Sequence, residues 1–135
     1  MSDLPIGFWL KHLDRLIEHD FDRVLASESL ERRQWQVLNS LHNEPGTVLQ
    51  LDQRLAPFLE DDESTVAPAA EALRQRGWVS GLVALELTAE GHQAHDTLLE
   101  RVQQNLRKLS LGISDQEYRD TVNVLERMSA NLEAD

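Results

Sequence analysis

The sequence predicts a mainly α-helical chain that carries one small β-hairpin beyond its middle. Three observations predict this. Apolar residues recur at helical spacing along most of the 135 residues. Two short β-patterned runs meet around Gly81-Leu82, and the helical stretches before and after the central region are long and apolar on one side.

Composition sets the frame for these elements. A hydrophobic fraction of 41% suits a single domain over residues 1–135. No apolar run approaches the roughly 20 residues of a membrane span, and the early acid in MSDLPIGFWLKHLDRL argues against a signal peptide. The absence of cysteine rules out disulfides and thiolate catalysis and makes the cytoplasm the expected location. The net charge is −11, from 24 acidic against 13 basic side chains. A DNA binder of this charge must gather its few cations on one face, because Lys and Arg at phosphates supply most of the affinity.

The first helix is expected over residues 4–26, where Phe8, Trp9, Leu13, Leu16, Ile17, Phe21, Val24 and Leu25 share a face. Ser29 reads as the cap of a second helix, which carries Trp35, Val37, Leu38 and Leu41 and ends at Glu44-Pro45-Gly46. After Thr47 a short helix fits within residues 51–59, with Pro57 tolerable only in a first turn. Another helix falls between Asp62 and Arg76. Asp62 can cap it, but Pro68 would then lie in the helix interior, where proline costs about 3 kcal/mol. The favoured start is therefore no earlier than Thr65, with Thr65 as cap. Gly77 suits a left-handed end to that helix.

Residues 78–80 and 83–87 read as the two strands, with Trp78 in the core beneath them. Thr88 caps a long helix in which His95, Leu98, Leu99, Val102, Leu106 and Leu109 share a face, and Gly112 breaks it. Ser114 and Glu117 have the spacing of a capping box before a last helix presenting Tyr118, Val122, Leu125, Met128 and Leu132. The order is a long helix, three helices, a hairpin and two long helices. The central residues 29–87 are thus a winged helix-turn-helix lobe. Residues 4–26 and 88–132 are too one-sidedly apolar for a monomer and are expected to be dimerisation helices covered by a second copy.

Several residue patterns in this order resemble the MarR family of bacterial regulators. They are Leu30-x-x-x-Gln34-Trp35-x-Val37-Leu38-x-x-Leu41 with Pro45-Gly46, then Leu55-Ala56-x-x-Leu59, Ser64-Thr65-Val66, Leu73-x-x-x-Gly77-Trp78-Val79 and Leu87-Thr88-x-x-Gly91. The resemblance runs from about Phe8 to Leu132. It implies a homodimer that binds a double-stranded, pseudo-palindromic DNA operator as a ligand-responsive repressor. It places Ser64 and Thr65 at the DNA-reading helix and leaves Arg32, Arg33, Arg54, Arg74 and Arg76 as the cations to reach DNA. It also implies a small aromatic or acidic effector where the dimer helices meet the lobe, with Trp9, His12, Arg15 and Trp35 as pocket candidates.

Three departures from the family pattern concern function. Glu60, Asp61, Asp62 and Glu63 occupy the turn before the reading helix, where carboxylates repel phosphate. Ala67 and Pro68 fall where polar or basic base-contacting side chains are usual, and alanine offers only an apolar contact. Ser80-Gly81-Leu82 makes a short, uncharged wing where the family has a longer arginine-bearing loop. These departures favour a second reading: a chain that keeps the shape, no longer reads DNA and works through protein contacts.

Other patterns carry less. His92-x-x-His95-Asp96 puts two imidazoles one turn apart, whereas helical zinc pairs more often use i and i+4 with a third ligand nearby. Surface or dimer-core histidines are the simpler reading there, and no metal or other cofactor is expected. Trp9 and Trp35 can equally be core residues, since large aromatics normally sit in cores. There is no Gly-rich phosphate loop, HExxH or GxSxG, so the chain is read as non-catalytic.

Overall fold

Helix α1 runs Ile6–Ser27 in the computed structural model, which describes residues 3–134. Residues 1, 2 and 135, which the single-domain expectation includes, lie outside the described residues. Ser29 does not cap the next helix. It takes a left-handed φ of 54°, and the Leu30 amide turns back to the Leu25 carbonyl at 2.9 Å, so this stretch closes α1. Helix α2 is Arg32–Asn43, and its start is marked by the Gln34 side chain accepting from the Glu31 amide at 3.1 Å.

Gly46–Thr47 forms a short strand, β1, that the sequence pattern did not announce. Helix α3 follows at once as Val48–Leu55, earlier than the expected residue 51. The reason is a reciprocal cap, in which Gln50 donates its amide to Thr47 at 3.1 Å and returns a side-chain acceptor to Thr47 at 2.9 Å. Pro57 sits in a single 3-10 turn, Ala56–Phe58, after α3 and not inside it. Helix α4 is Ala67–Gln75, so it starts after Thr65 and keeps Pro68 in its first turn. Gly77 ends this region with φ 81°, a value only glycine adopts without strain.

Strands β2 (Val79–Ser80) and β3 (Ala84–Leu87) form the hairpin, and β1 pairs on the other edge of β3. All pairings are antiparallel, with Val79 opposite Leu87 and Gly46 opposite Leu85. The described residues form two compact units that divide between Val102 and Gln103, within helix α5 (Ala89–Leu109).

In the first unit, Val37 and Leu38 of α2, Leu51 of α3 and Leu73 of α4 are fully buried in one cluster with Leu25, Leu41, Leu85, Leu87 and Leu98. The apolar period of each helix therefore points at a common centre. Truncating a leucine such as Leu73 to alanine would cost about 2–5 kcal/mol. Trp78 packs on this cluster as a half-buried ring, not the buried one expected, and the Arg76 guanidinium lies 4.7 Å above its centroid.

The start of α5 is stitched to the end of α4 at Thr88. Its hydroxyl donates to the Gly77 carbonyl at 2.6 Å and accepts from the Gly91 amide at 3.1 Å. The second unit holds the end of α5 and helix α6 (Asp115–Glu133). Gly112 makes the bend at φ 75°, and Ser114 and Glu117 exchange the two bonds of the expected capping box, both 3.0 Å. No α6 residue is buried, and Tyr118, Val122, Met128 and Leu132 stand exposed.

Gly91 is packed against backbone: a Cβ there would meet the Trp78 carbonyl oxygen at 2.2 Å. Gly91→Ala is expected to destabilise the lobe by about 1–3 kcal/mol, the usual cost of overpacking. Urea unfolding of the two proteins followed by circular dichroism checks this, and equal midpoints would contradict it.

Candidate nucleic-acid interface

The reading helix of a helix-turn-helix needs a defined start, and α4 lacks a side-chain cap of its own at Val66. The missing acceptor comes from α3. The Asp52 carboxylate accepts from the Val66 amide at 2.7 Å and from the Thr65 hydroxyl at 2.9 and 3.0 Å. The Thr65 oxygen in turn accepts from the Ala67 amide at 3.1 Å, so Thr65 serves the helix start as expected, but as a relay for Asp52. A proline in the first turn removes one amide that would otherwise need a partner. The signal for Asp52 was a lone acid in α3, indistinguishable in sequence from a solvated one.

The acidic turn folds back onto α2. The Glu63 amide donates to the Glu60 carbonyl at 2.9 Å, and the Glu60 amide donates to the Glu63 carboxylate at 3.1 Å. Arg33 then grips that carboxylate in a fork, Nε at 3.0 Å and a terminal nitrogen at 2.6 Å, and donates to the Phe58 carbonyl at 2.7 Å. The hydrogen bond from Arg33, followed by the one from the Glu60 amide, holds the Glu63 carboxyl below its ordinary value. Glu60, Asp61 and Asp62 remain exposed. Asp62 makes no cap.

The other candidate cations are also engaged within the chain. Arg32 lies between Glu18 and Asp22 of α1, with its guanidinium 5.0 Å over the Phe21 ring. Arg54 donates to the Glu44 and Pro45 carbonyls at 3.0 and 3.1 Å. Arg74 donates to the Gly81 carbonyl in the hairpin at 2.5 Å and meets Glu71 at 3.3 Å. Arg76 hooks the Glu28 and Ser29 carbonyls at 2.7 and 2.9 Å. The structure brings Arg33 to the acidic turn and Arg74 to the wing, while Arg32 and Arg76 face α1 and the loop that follows it. Ser64, Pro68 and Glu71 are exposed, and the hairpin tip shows Leu82 at 97% and Val83 at 76% exposure.

The four pocket candidates separate within one chain. Trp9 and His12 cluster with Phe8 on α1, at ring distances of 5.2, 5.5 and 6.1 Å, and Arg15 is exposed on the same helix. Trp35 is buried and meets Phe21 edge-on at 6.3 Å. Phe21 lies about 18 Å along the α1 axis from Trp9 at 1.5 Å per residue. Trp35 instead stacks on His95 at 5.2 Å, and His95 stacks on His42 at 3.7 Å. A separate cleft beside α4 is lined by Glu31, Arg33, Gln34, Glu63, Thr65 and Pro68, among others.

This architecture, a helix-turn-helix followed by a hairpin and flanked by long helices, is the MarR-type winged-helix fold. The chain is similar over 96% of its length to 99% of MepR, a transcription regulator of the multidrug efflux pump MepA in Staphylococcus aureus, with a TM-score of 0.78 and 14% identity. It is similar over 95% of its length to 96% of the MarR family protein Rv2887 of Mycobacterium tuberculosis, with a TM-score of 0.73 and 17% identity. NadR in complex with 4-hydroxyphenylacetate matches 96% of the chain over 98% of its own, at a TM-score of 0.66 and 18% identity. No protein-family model matches the sequence, and no curated protein matches it. No helix among the described residues is long and apolar enough to cross a membrane.

The Arg33–Glu63 fork has a definite pH signature. Since the folded carboxyl titrates below its ordinary 4.5, its contribution is complete above that value and is lost as pH falls through the lower folded one. Glu63→Gln lacks this contribution at every pH. Urea midpoints measured at pH 7 and at about pH 3 should therefore drop further for the unaltered protein than for the variant. Parallel drops would show that the fork contributes nothing.

Proposed function

We propose that the chain is a homodimeric, ligand-responsive transcription repressor in the cytoplasm, non-catalytic, whose lobe at residues 29–87 binds a double-stranded operator. The observation that carries this reading is the intact helix-turn-helix at its most deviant point. Asp52 holds the start of α4 despite Pro68, and Arg74 ties the same helix to the hairpin at Gly81, so reading helix and wing stand side by side. DNA contact is assigned to Ser64 and Thr65 at the start of α4, with Arg33, Arg54 and Arg74 around it and Arg32 and Arg76 behind. Residues 4–26 and 88–132 are the dimerisation segments. A small aromatic or acidic effector, of the chemical kind of the 4-hydroxyphenylacetate found in complex with NadR, fits the Phe8, Trp9, His12 and Arg15 face once a second copy closes over it.

One observation favours the second reading, a MarR-shaped protein working through protein contacts. All five arginines assigned to DNA already have partners inside the chain. Each must exchange that partner for phosphate, which lowers the gain per contact.

The test is anisotropy of a labelled duplex titrated with the unaltered protein and with Glu60→Gln/Asp61→Asn, which removes two exposed charges per chain and leaves the Glu63 fork intact. Binding at low salt, stronger in the variant and with the difference shrinking at physiological salt, is the expected outcome. Absence of binding by both proteins at low salt would favour the protein-contact reading.

The dimer has its own check. Phe8, Trp9, Leu13 and Leu16 on α1 are each more than 40% exposed, as are Tyr118, Val122 and Met128 on α6. Such faces are covered in stable proteins. The unaltered chain should sediment as a dimer at micromolar concentration. Leu16→Glu/Met128→Glu should yield monomer or aggregate, and a well-folded monomer of the unaltered chain would refute the assignment.

A further inference from the structure

Near the end of α2, His42 contacts the imidazoles of both His92 and His95 on α5, and the Asp96 carboxylate lies beside His95. His42 of α2 places its Nδ1 3.2 Å from the Nδ1 of His92 on α5, with the rings at 65°. The ring of His95, one turn further along α5, lies against that of His42 at 3.7 Å and 12°. His95 is buried at 1% exposure, while the neighbouring Asp96 carboxylate faces solvent, 3.4 Å from His95 Nδ1. Ligand atoms of His42, His95 and Asp96 all fall within 4.8 Å of one another.

The distances have a chemical meaning. Two nitrogens each about 2.0–2.1 Å from one tetrahedral ion stand roughly 3.3 Å apart. The His42–His92 pair already has that separation. In the protein alone the same geometry is an N–H···N hydrogen bond between the two rings. Moving its proton to a solvent-facing Nε2 frees both Nδ1 lone pairs without a net change of charge.

His95 is prepared in the same sense. Its Nε2 lies 2.8 Å from Asn39 Oδ1, an acceptor, so Nε2 carries the ring proton and Nδ1 keeps its lone pair. Metal-ligating histidines are typically oriented by such an outer hydrogen bond. A neutral nitrogen lone pair facing a carboxylate oxygen gains nothing from that neighbour, whereas a cation between them satisfies both.

We propose that His42, His92, His95 and Asp96 form a binding site for one borderline divalent ion of the zinc class. Three imidazoles with one carboxylate suit zinc, nickel or copper over calcium or magnesium, which take oxygen ligands. Lone pairs lie in the ring planes, so two rings stacked at 12° do not converge on one ion as they stand, and the His42 ring turns as it takes up the ion and the stack opens. The ion thereby clamps the end of α2 to the start of α5, both in the first compact unit. The site stands whether or not the chain reads DNA.

The test is isothermal titration of the metal-free full chain with Zn²⁺, followed by Co²⁺ absorption as a report on ligand type and geometry. One ion per chain is expected, with cobalt bands characteristic of a low-symmetry nitrogen and oxygen site. His42→Gln and His92→Gln should each weaken binding about tenfold or more, a loss already typical of changes to the outer partners of a metal. His19→Gln, on the exposed part of α1, should leave binding unchanged. Circular dichroism of each variant establishes that the fold persists, since His92 is exposed and His42 only half-buried. Failure of the unaltered chain to bind Zn²⁺, or undiminished binding by the folded His42→Gln/His92→Gln double variant, would overturn the proposal.

Discussion

The lobe depends on one carboxylate reaching from α3 to the start of α4. Asp52 takes the Val66 amide and the Thr65 hydroxyl together, and the bond from the Val66 amide, at 2.7 Å, lies within the short range of charge-assisted pairs. A helix of nine residues with proline in its first turn has little intrinsic stability in water. Its position comes from this borrowed acceptor and from Ala70 and Leu73, which fill the space between α2 and the sheet. The turn between α3 and α4 can then carry an unusual run of acids, because none of the four is required to start the helix.

Much of this architecture was legible in the sequence, for identifiable reasons. The long helices show in their apolar period, and the ends of α4 and α5 in Gly77 and Gly112. Pro68 forced the late start of α4 through its missing amide, and the Ser114–Glu117 box was visible as spacing alone. The misses have a common physical origin. Ser29 looks like a cap because serine caps well, yet the chain spends it in a left-handed turn. Strand β1 is only Gly46–Thr47 and takes its identity from a partner almost forty residues away, where no local period can announce it. At the site, the cations and the acidic turn could be read as residue types, but their partners could not. That Arg33 and Glu63 are a pair thirty residues apart is a fact of tertiary contact. The histidine cluster was half visible, as His92 and His95, and lacked His42, which lies fifty residues from His92.

These pairings change the meaning of the chain's negative charge. Counted by sequence, acids outnumber bases by eleven and the reading face looks hostile to phosphate. Counted by contact, the arginines serve as ties: Arg33 holds the turn, Arg54 the approach to β1, Arg74 the hairpin and Arg32 the junction of α1 with α2. Exposed pairs of this kind are individually worth little, but a guanidinium that also caps backbone carbonyls organises loops that have few apolar contacts of their own.

Arg76 gives such a tie a mechanical meaning. Its guanidinium lies 4.7 Å over the Trp78 ring and holds the two carbonyls that follow α1, so the last residue before the left-handed turn at Gly77 is tied to the exit of the first helix. One planar side chain thus serves as a shared anchor: the connection after α1 and the end of α4 are fastened at the same point, although forty-seven residues of chain separate Ser29 from Arg76.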